Sequence, residues 1–529
     1  MDILRKLSPR ASLFTRRGFL TGAGAVVVQA ALISQSVPRF AKADSLGDYP
    51  FTLGVASGDP DADSVMLWTR LAPSPLLEDG GMPQRPVLVE WRIALDENMR
   101  RVVRRGAVLA RPELAHSVHV EVGGLQPARW YWYQFRYGRE ESPVGRTRTA
   151  PSTWSASRNL TFAFASCQNY VAGFYPAHLR LAEEDLDFAV HLGDYIYEGP
   201  GGNGVRTHLP AHEIMSLADY RIRHAQYKTD PALQLAHAAF PWIVTWDDHE
   251  TENNYAGAVP QDPADAAIFI ERRARAYQAY YEHMPLRFRQ IPRGPDLQLY
   301  RRVSFGKVAQ FHVLDTRQYR SAGAPANCDL TARLDGYCPD ALDASRTIQG
   351  EDQREWLMRG LSRSHADWNI LANQLPFAPN DTNADPAIRI FGGEKWDGYP
   401  FDRSRLLDLI AARKLHNTVV ITGDVHANFV RNVPPDYINL DAEPIATEFV
   451  GTSISSGGDR TISTTFGGDS NNPHLRFSDN HHGYVRCKLT RDLWRSDYRV
   501  VPTVLSQDAP VSTLASFVVE RGRAGAHIA

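Results

Sequence analysis

Residues 187–198 read DFAVHLGDYIYE, and no other stretch constrains the fold as tightly. An apolar run, Phe188 to Leu192, stops abruptly at Gly193. A short apolar run closed by glycine has the form of a buried strand. Asp194 and Tyr197 stand just past its carboxyl end. Ligands of open α/β sheets gather outside the carboxyl ends of the strands. A carboxylate and a phenol placed there, three residues apart in sequence, reach one point. Both are anionic oxygen donors when bound, and a hard trivalent ion gives a physical reason to pair them.

Three other stretches repeat this pattern of strand and polar cluster. FAFASCQNY (162–170) places Cys167 at a strand end. WIVTWDDHE (242–250) places Asp247, Asp248 and His249 at another. VVITGDVHANF (419–429) places Asp424 and His426 at a fourth. Four strand ends from distant parts of the chain thus finish in metal-ligand residue types.

The start of the chain reads as a targeting segment. TRRGFL (15–20) sets Arg16 and Arg17 before an apolar run rich in Gly and Ala. The run closes at Ala41-Lys42-Ala43, a small-x-small cleavage signal, and the segment resembles a twin-arginine export signal. A membrane anchor is the other reading, and Gln29, Ser34 and Gln35 weaken it, because a spanning helix wants about 20 strongly apolar residues. Cleavage of residues 1–43 leaves a mature chain, periplasmic or secreted, whose export partner is the twin-arginine translocation machinery. The leader carries seven Lys or Arg and one acid; the remainder holds 51 bases and 59 acids, a net charge of −8. That balance offers no basic surface for nucleic acid or an anionic membrane. No later run is long and apolar enough for a membrane span.

Export also bears on the four cysteines, because an oxidising compartment favours disulfides. Cys328 and Cys338 flank a short loop and form the natural pair. A metal is the favoured reason for a free Cys167, with a buried inert thiol as the alternative. Cys487, in GYVRCKL, reads as core.

Residues 44–150 are strand-like and punctuated by turns. SVMLWTRL (64–71), VLVEWRIAL (87–95), SVHVEV (117–122) and RWYWYQFRY (129–137) predict a small all-β sandwich. From residue 158 to the end, strands alternate with helices, which predicts an α/β layered domain. Helices are expected over residues 212–228, 264–283, 350–364 and 401–415. The late runs FVGTSIS (449–455) and GYVRCKLTRDLW (483–494) are expected to extend a second sheet.

These motifs together resemble the PhoD-type alkaline phosphatases, within the calcineurin-like and purple acid phosphatase group of metallophosphoesterases. The resemblance rests on FTLGVASGDP (51–60), ASCQ (165–168), HLGDYIYE (191–198), TWDDHE (245–250), LDTRQYR (314–320) and GDVH (423–426), in that order. It implies an α/β metallophosphoesterase fold, a two-sheet αββα sandwich, behind a fibronectin-like β-sandwich. It also implies a ferric ion (Fe3+) together with calcium (Ca2+). Cys167, Asp194, Tyr197 and His426 suit the iron. Asp194 with Asp248, Asp247 and Asp424 gives an oxygen-only set for the divalent ion. Zn2+ or Mn2+ at the second position is the alternative. Asn373 or Gln374 stands where relatives supply another histidine, and Asn253 and Asn254 either bind metal or shape their loop. The family position of His249 contacts phosphate, for charge stabilisation or leaving-group protonation. Arg317 and Arg320 are placed to hold phosphate bidentately, or else form structural ion pairs.

The implied activity is hydrolysis of small phosphate esters by a metal-activated hydroxide. A phosphodiesterase of phospholipase D-like type is the alternative within the family. A non-catalytic exported binding protein is the alternative of another class, and it predicts a degraded ligand set.

Overall fold

The computed structural model describes residues 48–153, 155, 159–323, 328–385, 387–436 and 439–529. The twin-arginine segment lies outside the described residues. Strand outweighs helix among the described residues, in sheets of ten, eight and five strands.

Parallel strands form the middle of both large sheets. In the ten-stranded sheet they are Asn159–Ala165, Phe188–His191 and Trp242–Val244. In the eight-stranded sheet they are Ala309–Val313, Trp368–Ala372, Thr418–Thr422 and Ala446–Val450. Parallel strands covered on both faces read as continuous apolar runs rather than alternating ones. That is how FAVHL and TVVIT are written. Their alternate residues serve different layers. Val419 and Ile421 enter a cluster shared with Phe162, Phe164, Val190 and Phe311 of both sheets, whereas Val420 turns to the opposite side. Phe162 and Phe311 meet edge to face at 5.1 Å across this interface, a geometry that contributes about 1 kcal/mol beyond area burial.

Helices cover the outer faces. Pro176–Ala182, Leu217–Lys228, Pro231–Ala239 and Phe269–His283 supply Leu181, Tyr220, Leu233 and Tyr280 to one buried layer beside Ala163, Ala189 and Trp242. Glu351–Arg363 and Pro400–Ala412 supply Leu357, Leu361, Leu406 and Ile410 to another, beside Leu371 and Val420. Two helix starts have a side-chain cap. Ser216 and Asp219 form a capping box. Asp230 accepts from the N–H groups of Ala232 and Leu233 and is followed by proline. Among the described residues no helix is long and apolar enough to cross a membrane.

The N-terminal strands divide. Val87–Ala94, Val102–Ala110, Trp130–Tyr137, Glu140–Glu141 and Gly145–Arg148 make the five-stranded sheet. Val55–Gly58, Val65–Arg70 and Ser117–Val122 instead continue the ten-stranded sheet, with Gly58 opposite Trp242. The two groups share a cluster of Val55, Leu67, Val89, Val120, Tyr131 and Phe135.

One expectation is corrected. The run from His482 does not join the second sheet. His482–Thr490 lies antiparallel to Asn159–Ala165 in the ten-stranded sheet, with Cys487 opposite Phe162. Its apolar alternation fits the shared inter-sheet core on either sheet, so the sequence did not distinguish them. Cys328 and Cys338 are disulfide-bonded, with Cα atoms 5.8 Å apart, and Cys167 and Cys487 are free and buried.

Candidate metal centre

The four motif-bearing strand ends converge. Glycine makes this possible at two of them. Gly193 has φ +111°, and a Cβ there would lie 2.5 Å from the backbone nitrogen of Asp247. A Cβ on Gly423 would press into Ser166, beside Cys167. The two GD pairs therefore have glycine because neighbouring loops touch at that backbone. The adjoining residues are held in left-handed conformations that side chains rarely adopt: Cys167 at φ +59°, Asp194 at +55°, Asp424 at +68° and His426 at +53°. Strain of this kind clusters at functional sites.

Hydrogen bonds fix the loops to one another. The N–H of Cys167 donates to Gly193 O at 3.1 Å, and that of Gln168 to Asp194 O at 3.0 Å. The buried carboxylate of Glu250 accepts from the N–H groups of Asp194, Tyr195 and Asp247 at 3.1, 2.5 and 2.8 Å. Burial pushes its pKa up to about 8.

Two ligand groups result, and Asp194 belongs to both. Donor atoms of Cys167, Asp194 and His426 lie within 4.8 Å of one another, as do those of Asp194, Asp248 and His249. The Tyr197 hydroxyl is 3.1 Å from Asp194 Oδ2 and 3.2 Å from His426 Nε2. Ser456 donates to that hydroxyl at 2.7 Å. Arg460 donates to the His426 carbonyl at 3.0 Å.

The donor set fits cations. Asp194 Oδ1 and Asp247 Oδ2 are buried without a hydrogen-bond partner, a costly condition for a carboxylate. Burial, reinforced by Asp194, pushes both the Cys167 thiol and the Tyr197 phenol well up. Only a strongly polarising ion at this point makes them anionic ligands. Burial likewise lifts Asp194 and Asp247. Asp248 is the exception: against burial, Arg317 and His249 hold it well below the usual carboxylate range.

Arg317 is brought into the cluster rather than to its rim. Its Nε pairs with Asp247, and its Nη2 lies 3.4 Å from Asp248 and 3.3 Å from Asp424. Arg320 is not brought in. It donates to the carbonyls of Tyr255, Asn254 and Glu394 and clamps those loops. Gln374 is occupied at both ends, by Thr316 and by Thr245 and Leu314. Asn373 is bonded to Leu375 and Trp396. Asn253 donates to Glu198 and Gln261, and the backbone of Asn254 donates to Asp248.

His249 lies within the second ligand group, with a ring nitrogen within 4.8 Å of carboxylate oxygens of Asp194 and Asp248. Its Nδ1 is 2.7 Å from Glu198 Oε2, which leaves Nε2 as the other ring nitrogen. Burial opposes its charge, but Glu198, Asp194 and Asp248 outweigh that and raise its pKa. Glu198 and Glu250 are functional residues that the sequence motifs contain without marking. Each is the last letter of a quoted motif, so both were visible. Ser456 and Arg460 carried no local signal.

Comparison with known proteins gives the family. Residues 162–498 match the family described as PhoD-like phosphatase, and residues 36–151 match the PhoD-like phosphatase N-terminal domain. Alkaline phosphatase D of Bacillus subtilis (strain 168) is 48% identical over 544 residues, 99% of this chain and 90% of that protein. A solved structure described as "Structure of PhoD" superposes with a TM-score of 0.86 at 48% identity, over 92% of this chain and 93% of that one.

Proposed function

The chain belongs to the PhoD-like phosphatase family, and from that membership we propose an exported alkaline phosphatase whose chemistry runs at the centre joined by Asp194. It is a phosphoester hydrolase. The single observation that carries the location is the sharing of Asp194 by two ligand groups. One carboxylate serving two groups is the arrangement a two-cation site needs.

In this reading the sandwich is the metallophosphoesterase fold, with an αββα order of layers behind the N-terminal module of residues 44–150. Cys167, Asp194, Tyr197 and His426 would hold Fe3+. Asp194, Asp248, Asp247 and Asp424 would hold Ca2+, since hard divalent ions take oxygen ligands. When bound, the ions would supply Lewis acidity, neutralising phosphate oxygens and acidifying a water.

The chain's own residues do the rest. Glu250 holds two ligand loops in register through its backbone bonds. Glu198 orients His249 through Nδ1, so that Nε2 carries the proton for the departing ester oxygen. Arg317 balances the charge of three carboxylates and keeps its free Nη1 for an anion. Arg320 acts on the loop around Asn254. The disulfide suits an oxidising compartment. That supports export.

Chelation tests the metal assignment. Treatment with a calcium chelator is expected to abolish hydrolysis of p-nitrophenyl phosphate, and added Ca2+ to restore it. Restoration by Zn2+ alone would contradict the carboxylate argument.

A further inference from the structure

We propose that Lys395 contacts the substrate phosphate at the mouth of this centre and favours phosphate monoesters over diesters. The proposal rests on the Asp194 cluster being the active site.

The carboxylates of the cluster differ in how they meet solvent. The side chains of Asp247 and Asp248 are 2% and 4% exposed, whereas Asp424 is 20% and His249 21%. The centre therefore opens on the side of Asp424 and His249. Two cations pair with these carboxylates among the described residues. Arg317 is 1% exposed and divided among three acids. Lys395 is 40% exposed, and its Nζ lies 3.7 Å from Asp424 Oδ2.

Lys395 is carried on an anchored backbone. On one side, the Glu394 carbonyl accepts from Arg320 at 3.0 Å. On the other, the Trp396 indole donates to Asn373 at 3.3 Å, and Asp397 pairs with Arg403 at 2.6 Å. The backbone on both sides of Lys395 is thus held while the ammonium end reaches the mouth. Its pair with Asp424 is long and solvated, and such pairs are weak. A cation ligated by Asp424 would draw on the same carboxylate and weaken the pair further. An incoming phosphate then becomes the favourable partner for the ammonium.

This partner is sensitive to charge. A phosphate monoester carries about −1.5 to −2 near neutral pH, and a diester carries a single negative charge. Lysine presents a compact point charge rather than a bidentate fork. It therefore separates the two esters by charge more than by shape.

The test compares wild type with Lys395→Ala and Lys395→Arg, all loaded with metal. The readouts are p-nitrophenyl phosphate hydrolysis, bis(p-nitrophenyl) phosphate hydrolysis and inhibition by inorganic phosphate. For Lys395→Ala, the monoester KM and the phosphate inhibition constant are each expected to rise about tenfold, with a diester change below about threefold. Lys395→Arg is expected to recover most of the loss, and metal content to match wild type. An unchanged monoester KM, or an equal loss on both esters, would overturn the proposal. Asp194→Asn serves as the second variant. If it keeps both metal and turnover, the reading of the cluster as the active site falls, and the proposal with it. If it loses them, the Lys395 result stands alone.

Discussion

The carboxylate of Glu198 lies 2.7 Å from Nδ1 of His249. Glu198 also accepts the N–H of Asn253 at 2.7 Å, so its position is fixed from two sides. An imidazole held at one nitrogen presents the other in a defined direction. Glu198→Gln keeps the shape and removes the charge. It is expected to lower kcat by about 10- to 100-fold while leaving KM and bound metal near wild type. The alkaline limb of the pH–rate profile is expected to move to lower pH, because the His249 imidazolium loses a neighbouring anion. Steady-state kinetics across pH, with metal analysis alongside, check this.

Gly193 separates packing from chemistry. Its φ of +111° and the approach of Asp247 leave no room for a Cβ. Gly193→Ala is expected to destabilise the fold by about 2–4 kcal/mol, since strain and overpacking add. Gly202 has nothing near its Cβ position and no strained φ. Gly202→Ala is expected to leave the melting temperature almost unchanged. Thermal unfolding of the two variants checks the contrast.

Acid is expected to weaken the protein through buried neutral histidines. His119 donates from Nε2 to the carbonyls of Tyr281 and Met284 and stacks on Tyr281 at 4.4 Å. Burial pushes its pKa down to about 4, and those of His178 and His312 down to about 3. The folded values lie below the unfolded value of about 6.5. The unfolded chain therefore binds protons first as pH falls. Stability is fully present above about pH 6.5 and is lost on the way down to about 4. By pH 5, His119 alone accounts for a loss of about 2 kcal/mol. Urea unfolding at pH 7 and pH 5 checks this, with His119→Gln expected to show a smaller difference.

Much of the site was legible because each metal-ligand type ends an apolar run. Phe188–His191 and Thr418–Thr422 are too apolar to be anything but covered strands, and their last residues are forced to one edge of a sheet. Strand position was less legible. Val55–Gly58 and His482–Thr490 both join the ten-stranded sheet through pairings far apart in sequence, which local periodicity does not encode. The Pro231–Ala239 helix went unread, although Asp230-Pro231 marks its start. Arg320 shares a motif with Arg317, yet one turns to loop carbonyls and the other to carboxylates. Three residues of spacing do not fix which way a guanidinium points. Arg460 reaches the centre from a loop that carries no recognisable pattern, whereas Lys395 lies in EKWDGYPFDR (394–403), whose aromatic residues among acids read equally as a channel lining or as loop packing.

In the proposed centre two different cations meet at Asp194, one of them bound through Cys167 and Tyr197. Elemental analysis of the purified, unchelated protein, read with its visible spectrum, tests this most directly. Iron together with calcium is expected, with a charge-transfer band that Cys167→Ala or Tyr197→Phe displaces without changing the circular dichroism. Zinc or manganese in a colourless protein, or a band unaffected by both substitutions, would contradict it.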